Sequence, residues 1–279
     1  MYTISQLFIY PVKSLGGIEI TGAQLTDRGF QFDRRWMLVD VNNQFLTQRE
    51  HPEMCLLQTA IQDNELIVYH KNNPADNIQI PLQPLPGVAT IKVQVWDDEC
   101  SAQLVSEAAD AWFSAKLSIP CRLVYMPDSE KRKVDPEYAS ENDITSFSDG
   151  YPLLIIGQAS MDDLNSRLAE PLSINRFRPN IVFSGGNAFD EDTMEHVRIN
   201  SINLYGVKLC ARCTITTINQ ATAERAKEPL KALAAYRMKN SKIYFGQNIL
   251  HKQTGALKVG DAIEIISKKV PFAFIPSAQ

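Results

Sequence analysis

The stretch Leu209-Cys210-Ala211-Arg212-Cys213-Thr214-Ile215-Thr216-Thr217 does most to limit what this chain can become. Ahead of it Ile199, Ile202, Leu204, Val207 and Leu209 make an alternating apolar run, and Ile215 and Ile218 continue it. The spacing predicts strand geometry on both sides of the two cysteines. That placement restricts their chemistry. A structural zinc site needs about four ligands, yet Cys55, Cys100 and Cys121 stand isolated and none of the four histidines has a neighbour at ligand spacing. A thioredoxin-like pair opens a helix, whose N-terminus acidifies the thiol, and strand-like sequence does not provide one. Two readings stay open. One is a single thiolate, made acidic by Arg212 or by a metal, that binds a soft ion; the other is two apolar cysteines buried in a sheet.

Most of the remaining chain carries the same short alternation. Residues 4–12, 18–26, 32–40, 45–49, 56–61, 65–70, 78–82 and 90–96 are predicted strands, with a turn signal at Asn42-Asn43, as in a small β-barrel or sandwich. Further strands are expected at 122–126, 153–156, 181–183, 244–248 and 257–266. Helices are predicted at 107–117, stopped by Pro120, at 161–168, capped by Ser160, and at 228–237, with Pro229 in the first turn. The proline-rich patch 81–87 reads as a loop or domain edge, 127–143 as a mobile loop, and 271–276 fits no element.

With 279 residues the chain is long enough for one large domain or two moderate ones. A formal net charge of -4 gives no reason to expect nucleic acid or an anionic membrane surface as partner. No apolar run approaches the roughly 20 residues needed for a membrane span. Five scattered cysteines argue against a disulfide framework, and no leader composition follows Met1, so a cytoplasmic setting is expected.

Several loops carry positive charge. Pro11-Val12-Lys13-Ser14-Leu15-Gly16-Gly17 joins a lysine, a hydroxyl and two glycines, a composition suited to bringing backbone N–H groups near an anion, although it is not a Walker sequence. Arg34 and Arg35 lie in the 32–40 strand, where neighbours point to opposite faces, so one is turned inward and needs an anionic partner. Arg49 follows on the next strand, and Arg176 and Arg178 share one side if 176–180 is extended. Taken singly, each reads as an ordinary surface charge.

Together these stretches resemble the MOSC-domain family, which includes amidoxime-reducing components and bacterial relatives that reduce N-hydroxylated compounds. Pro11-Val12-Lys13-Ser14, Asp33-Arg34 with Trp36, and Thr47-Gln48-Arg49 look like the family's amino-terminal β-barrel. Ser148-Asp149-Gly150, Asp163-Leu164-Asn165, Phe177-Arg178-Pro179-Asn180, Cys210-Ala211-Arg212-Cys213, Lys227-Glu228-Pro229-Leu230 and Phe245-Gly246-Gln247 look like its MOSC domain. The resemblance implies a mixed α/β, β-rich fold. A β-barrel-like N-terminal domain is expected over 1–100, and a MOSC domain with a β-barrel core and peripheral helices over 101–279. It also implies a molybdenum–molybdopterin cofactor, with Cys213 as the catalytic thiolate on the metal and Cys210 as its bystander. Lys13, Ser14, Arg34, Arg49, Ser148, Arg178 and Asn180 are the expected cofactor-binding residues.

The implied reaction removes oxygen from an N–O group of a small N-hydroxylated substrate, with two electrons consumed and water released. Some relatives carry a fused iron–sulfur domain. No set of four clustered cysteines follows the MOSC-like region here, nor is there a Rossmann or flavin signature, so the electrons are expected from a separate ferredoxin-like protein or flavin reductase. The rival readings are a molybdenum-cofactor or sulfur-carrier binding protein without reductase activity, and a cofactor-free dithiol protein using Cys210 and Cys213.

Overall fold

The structure is a computed structural model that describes residues 1–83 and 87–274. Pro84, Leu85 and Pro86 of the expected proline-rich loop, and Ile275 and Pro276 of the unassigned C-terminal stretch, lie outside the described residues.

Strand Tyr2–Ile9 shows how sequence pattern becomes architecture. Ile4, Leu7 and Ile9 point into one core, an inward set that changes parity because a bulge between Ile4 and Gln6 shifts the register. One edge of this strand pairs antiparallel with Ile181–Ser184 and the other with Ala262–Lys268. From there the ladder runs through Met194–Ile199, Ile202–Ala211 and Lys242–His251 to Leu153–Gly157. Leu153–Gly157 then pairs parallel with Ile181–Ser184 and closes a ring of seven strands. Closure leaves no strand edge open. Ile4, Ile155, Phe183, Val197, Leu204 and Ile249 are among the side chains that fill its interior.

The intervening chain builds the second unit. Trp36–Val39, Arg122–Tyr125, Asp98–Leu104 and Thr90–Val95 form a four-stranded antiparallel sheet, and Leu57–Gln62, Glu65–His70 and Asn73–Pro81 form a three-stranded meander. Helix Glu107–Leu117 packs Ala109, Phe113 and Leu117 into the core they share. Its limits match the sequence expectation. Ser106 Oγ accepts from Ala109 N–H, and Ser118 ends the helix in a left-handed conformation ahead of Pro120. The fold is mixed α/β and β-rich, as expected. Among the described residues no helix is long and apolar enough to cross a membrane.

Several local expectations need correction. The second helix spans Gln158–Ser166, and Ser160 lies inside it with its hydroxyl turned to Glu191 rather than capping. The third spans Leu230–Arg237, starting after Pro229; Glu228 accepts from Ala232 N–H. The strand expected over 32–40 is only Trp36–Val39, because Phe32 and Arg34 have φ of 68° and 50°. The return over 45–49 is an isolated bridge from Phe45 to Val39 followed by a turn. Residues 127–143 lack regular structure, but buried Arg132 and Val134 and the Lys252–Asp143 ion pair fasten them down.

Candidate functional site

One cavity collects the ends of these elements. It lies where the segment after Tyr2–Ile9, the turns around Arg34 and Arg49, residues 148–154, residues 177–180 and the end of strand Ile202–Ala211 meet. Lys13, Ser14, Arg34, Arg49, Ser148, Arg178, Asn180 and Cys213 all line it. Lys13 and Cys213, 200 positions apart, are thus brought to one wall-sharing space.

Left-handed turns aim the cationic side. Ser14, Arg34 and Arg178 have φ of 66°, 50° and 54°, values that few non-glycine residues adopt, so tertiary contacts must hold all three. Arg34 pairs with buried Asp33, and its guanidinium also reaches Asn180 Oδ1 at 3.1 Å and the Arg178 carbonyl at 3.2 Å. Arg178 donates to the Leu15 carbonyl at 2.6 Å. Both guanidinium groups lie over the Tyr10 ring, at 4.4 and 4.2 Å from its centroid. Burial, reinforced by Arg34, pulls the Arg178 pKa down to about 10. The expectation that 176–180 is extended fails: Ile174–Arg176 is a 3-10 turn, and Arg176 reaches the Thr216 carbonyl instead of sharing a side with Arg178.

Asn180 is a structural node as much as a lining residue. Its Oδ1 accepts from Leu154 N–H and Arg34, while Nδ2 donates to the Phe8 carbonyl, so one buried amide ties three segments together. Lys13 is buried, with Nζ donating to the Phe147 carbonyl at 2.8 Å and to Asp149 at 2.6 Å. Burial pulls its pKa down to about 8, although the Asp149 carboxylate opposes the shift. Arg49 reaches in from the far lip with its guanidinium 4.1 Å over the Trp96 ring.

The cysteine wall differs from the sequence expectation on one side. Ile202–Ala211 is a strand, but the residues after Cys213 form a 3-10 turn, Thr214–Thr217, in which Thr216 Oγ1 donates to the Cys213 carbonyl. Arg212 separates the thiols. Its Nη1 donates to Cys210 Sγ at 2.9 Å and Nη2 to the Phe177 carbonyl at 2.6 Å, leaving a buried Nε–H without a partner. Burial raises the Cys210 pKa, and Arg212 only partly opposes this.

Sequence reasoning did not assign Tyr10, Asp149 or Arg132 to the site, and gave Arg212 only as a group that could acidify a thiolate. Arg132 supports Ser148 from behind by donating to the Ser146 and Ser148 carbonyls. No local signal marks it, since it sits in an aperiodic charged run. Asp149 and Arg212 did lie within the stretches that carry the family resemblance.

The family profile of the MOSC N-terminal beta barrel domain matches residues 1–120, and that of the MOSC domain matches residues 142–264. Mitochondrial amidoxime-reducing component 1 of Xenopus laevis is 32% identical over 289 residues, spanning 95% of this chain and 82% of that protein. The Homo sapiens protein of the same name is 31% identical over 286 residues, with 95% and 83% covered. Molybdenum cofactor sulfurase of Oryza sativa subsp. japonica is 31% identical over 263 residues, which span 87% of this chain but 32% of that protein. The amidoxime-reducing relatives are mitochondrial by name, which overturns the cytoplasmic placement expected from the sequence. On these matches the chain belongs to the MOSC family and carries both its N-terminal β-barrel domain and its MOSC domain.

Proposed function

We propose that this chain is a molybdenum-cofactor-dependent reductase of N-hydroxylated compounds, supplied with two electrons by a separate ferredoxin-like protein or flavin reductase. The observation that carries the reading is the convergence of Lys13, Arg34, Arg49, Arg178 and Arg212 on the cavity that also holds Cys213. Asp149 is the one carboxylate in that lining, with Asp33 beneath Arg34, so positive charge is in surplus. Cations in surplus, Lys13 buried and the four arginines half-buried, call for an anionic ligand.

The residues present fit a molybdopterin with its phosphate. Arg212 Nε and Tyr151 OH are buried polar atoms of the lining with no hydrogen-bond partner among the described residues. An orphaned buried donor costs stability unless something accepts from it. Among the described residues no three His, Cys, Asp or Glu side chains cluster into a metal site, so the chain would offer one thiolate and leave the other ligands to the pterin sulfurs and oxygens. When bound, the cofactor supplies a redox centre able to take oxygen from nitrogen while two electrons and two protons yield amine and water.

The chain's own residues do the rest. Lys13, Ser14 and Ser148 would hold the phosphate end, while Arg34 and Arg178, fixed against Tyr10, would hold the pterin. Arg34 is itself positioned by Asn180. Cys213 would be the protein ligand. Cys210, whose pKa burial raises against the opposing Arg212, would remain a thiol.

Similarity to a molybdenum cofactor sulfurase favours one second reading, a cofactor or sulfur carrier without reductase activity. Metal analysis of the purified chain, followed by reduction of a benzamidoxime-type probe with an artificial low-potential donor, separates the possibilities. About one molybdenum per chain with turnover is expected. Molybdenum without turnover favours the carrier, and a folded chain that takes up no molybdenum refutes both.

A further inference from the structure

The mouth of this cation-rich cavity carries a carboxylate. Asp149 Oδ1 accepts from Lys13 Nζ at 2.6 Å and from Trp96 Nε1 at 3.2 Å. The two halves of the ion pair are unlike. The Lys13 side chain is 6% exposed and the Asp149 side chain 65% exposed, so the cation is fixed inside and the anion reaches in from solvent.

Trp96 meets Asp149 from the outer side. It is 41% exposed at the turn between Thr90–Val95 and Asp98–Leu104, with φ of 57°, and its ring carries the Arg49 guanidinium. Behind Asp149 the backbone is pinned: Arg132 donates to the Ser146, Ser148 and Asp149 carbonyls and pairs with Asp98. Beside it is open space, since a Cβ added at Gly150 would meet no atom within 4 Å. The loop is held from behind, and the carboxylate is held by Lys13 and Trp96.

We propose that the Asp149 carboxylate is an internal stand-in for the anion this cavity takes, latched by Trp96, and that loading swings it off Lys13. The proposal rests on the cavity being an anion site, as the functional reading requires, but not on molybdenum or on reductase chemistry. A buried ammonium is costly without a counter-charge, and Asp149 supplies one. The same contact sets a threshold. An incoming anion must offer Lys13 more than a carboxylate does, which a phosphate dianion with several acceptor oxygens achieves and a halide does not.

The test uses this whole 279-residue chain prepared without cofactor and titrated with inorganic phosphate, read by calorimetry and by tryptophan emission. Phosphate should change the emission as Trp96 loses its carboxylate partner. Trp96→Phe should abolish that change although Trp36 and Trp112 remain. If the latch is closed about nine-tenths of the time, Asp149→Asn should bind phosphate about tenfold more tightly. Asp128→Asn makes the same charge change at the exposed partner of Arg35 and should leave the affinity unchanged. Trp96→Phe, which cuts only the latch, should tighten binding by a smaller factor and keeps the test available if Asp149→Asn folds poorly. Affinity unchanged or weakened in Asp149→Asn and Trp96→Phe, equal tightening in Asp128→Asn, or no phosphate binding by any of these proteins overturns the proposal. None of these readouts involves molybdenum uptake or turnover, so either reading can fail alone.

Discussion

Glu191 should make the stability of this protein fall as the pH rises from 4.5 to about 7. Its side chain is fully buried against the start of helix Gln158–Ser166, where Ser160 Oγ donates to Oε2 at 2.8 Å and Oε1 has no partner. That helix has Gly157 at its N-cap and no capping side chain of its own, so Glu191 serves its first turn from outside. Burial, followed by repulsion from Asp192, raises the Glu191 pKa from 4.5 to about 7, with the Ser160 hydroxyl opposing the shift. Asp192 in turn pairs with Arg237 at 2.7 Å and has Lys269 nearby.

A raised carboxyl pKa means that the folded chain holds the proton more tightly than the unfolded chain. Between pH 4.5 and about 7 the folded state binds more protons, so this group's contribution to stability declines as pH rises and stays lost above about 7. At about 1.4 kcal/mol per pKa unit, the decline is about 3 kcal/mol. Glu191→Gln cannot ionise and should lack it. Urea unfolding of both proteins at pH 4.5 and pH 8 isolates the effect, because other titrations cancel in the difference. The variant should gain about 3 kcal/mol relative to the parent between those two pH values. A difference that does not move with pH, or moves the other way, refutes the reasoning.

Four shorter expectations concern the site and its frame. Cys213→Ala should abolish reductase turnover while Cys210→Ala keeps most of it; equal loss in turnover assays would favour the dithiol reading. Arg34→Ala leaves buried Asp33 unpaired and should cost about 3–5 kcal/mol in denaturant unfolding, and metal analysis should find whatever folds poor in cofactor. Asn180→Ala removes one buried amide with three partners and should destabilise by at least about 2 kcal/mol, with Arg34→Lys failing to add its full cost on top. Ser106→Ala, far from the cavity, should cost about 1 kcal/mol in stability and leave turnover unchanged.

What the sequence made legible was local. Ser106 and Pro120 bracket a helix whose limits can be read by eye, and strand Glu65–His70 has the expected ends because its alternation is uninterrupted. That one of Arg34 and Arg35 turns inward was legible, but not which, nor that Arg34 lies in a turn, since left-handed φ leaves no periodic trace in an arginine. Ser160 looked like a cap because a cap is the local use of serine; its actual partner, Glu191, lies 31 positions away. Arg132 was invisible for the same reason, its carbonyl partners being defined only once the 146–149 loop is folded. The eight expected cofactor residues were named through family resemblance, and their common cavity is a property of tertiary structure that no spacing rule encodes.

One strand of the ring also governs the order of assembly. Tyr2–Ile9 pairs through Leu7, Phe8 and Ile9 with nearby Ile18–Ile20, but its neighbours in the ring begin at Ile181 and Ala262, so its place in the ring is completed only by those distant segments. Contacts of such sequence separation form slowly. Lys13 and Ser14 follow directly from that strand, so the cationic cavity exists only after the ring has closed around its last member. A ligand that binds the cavity therefore binds finished molecules and no others, and by mass action it draws the population toward them. In a cell, supply of that ligand would set how much of this protein survives proteolysis, making its abundance a gauge of ligand availability.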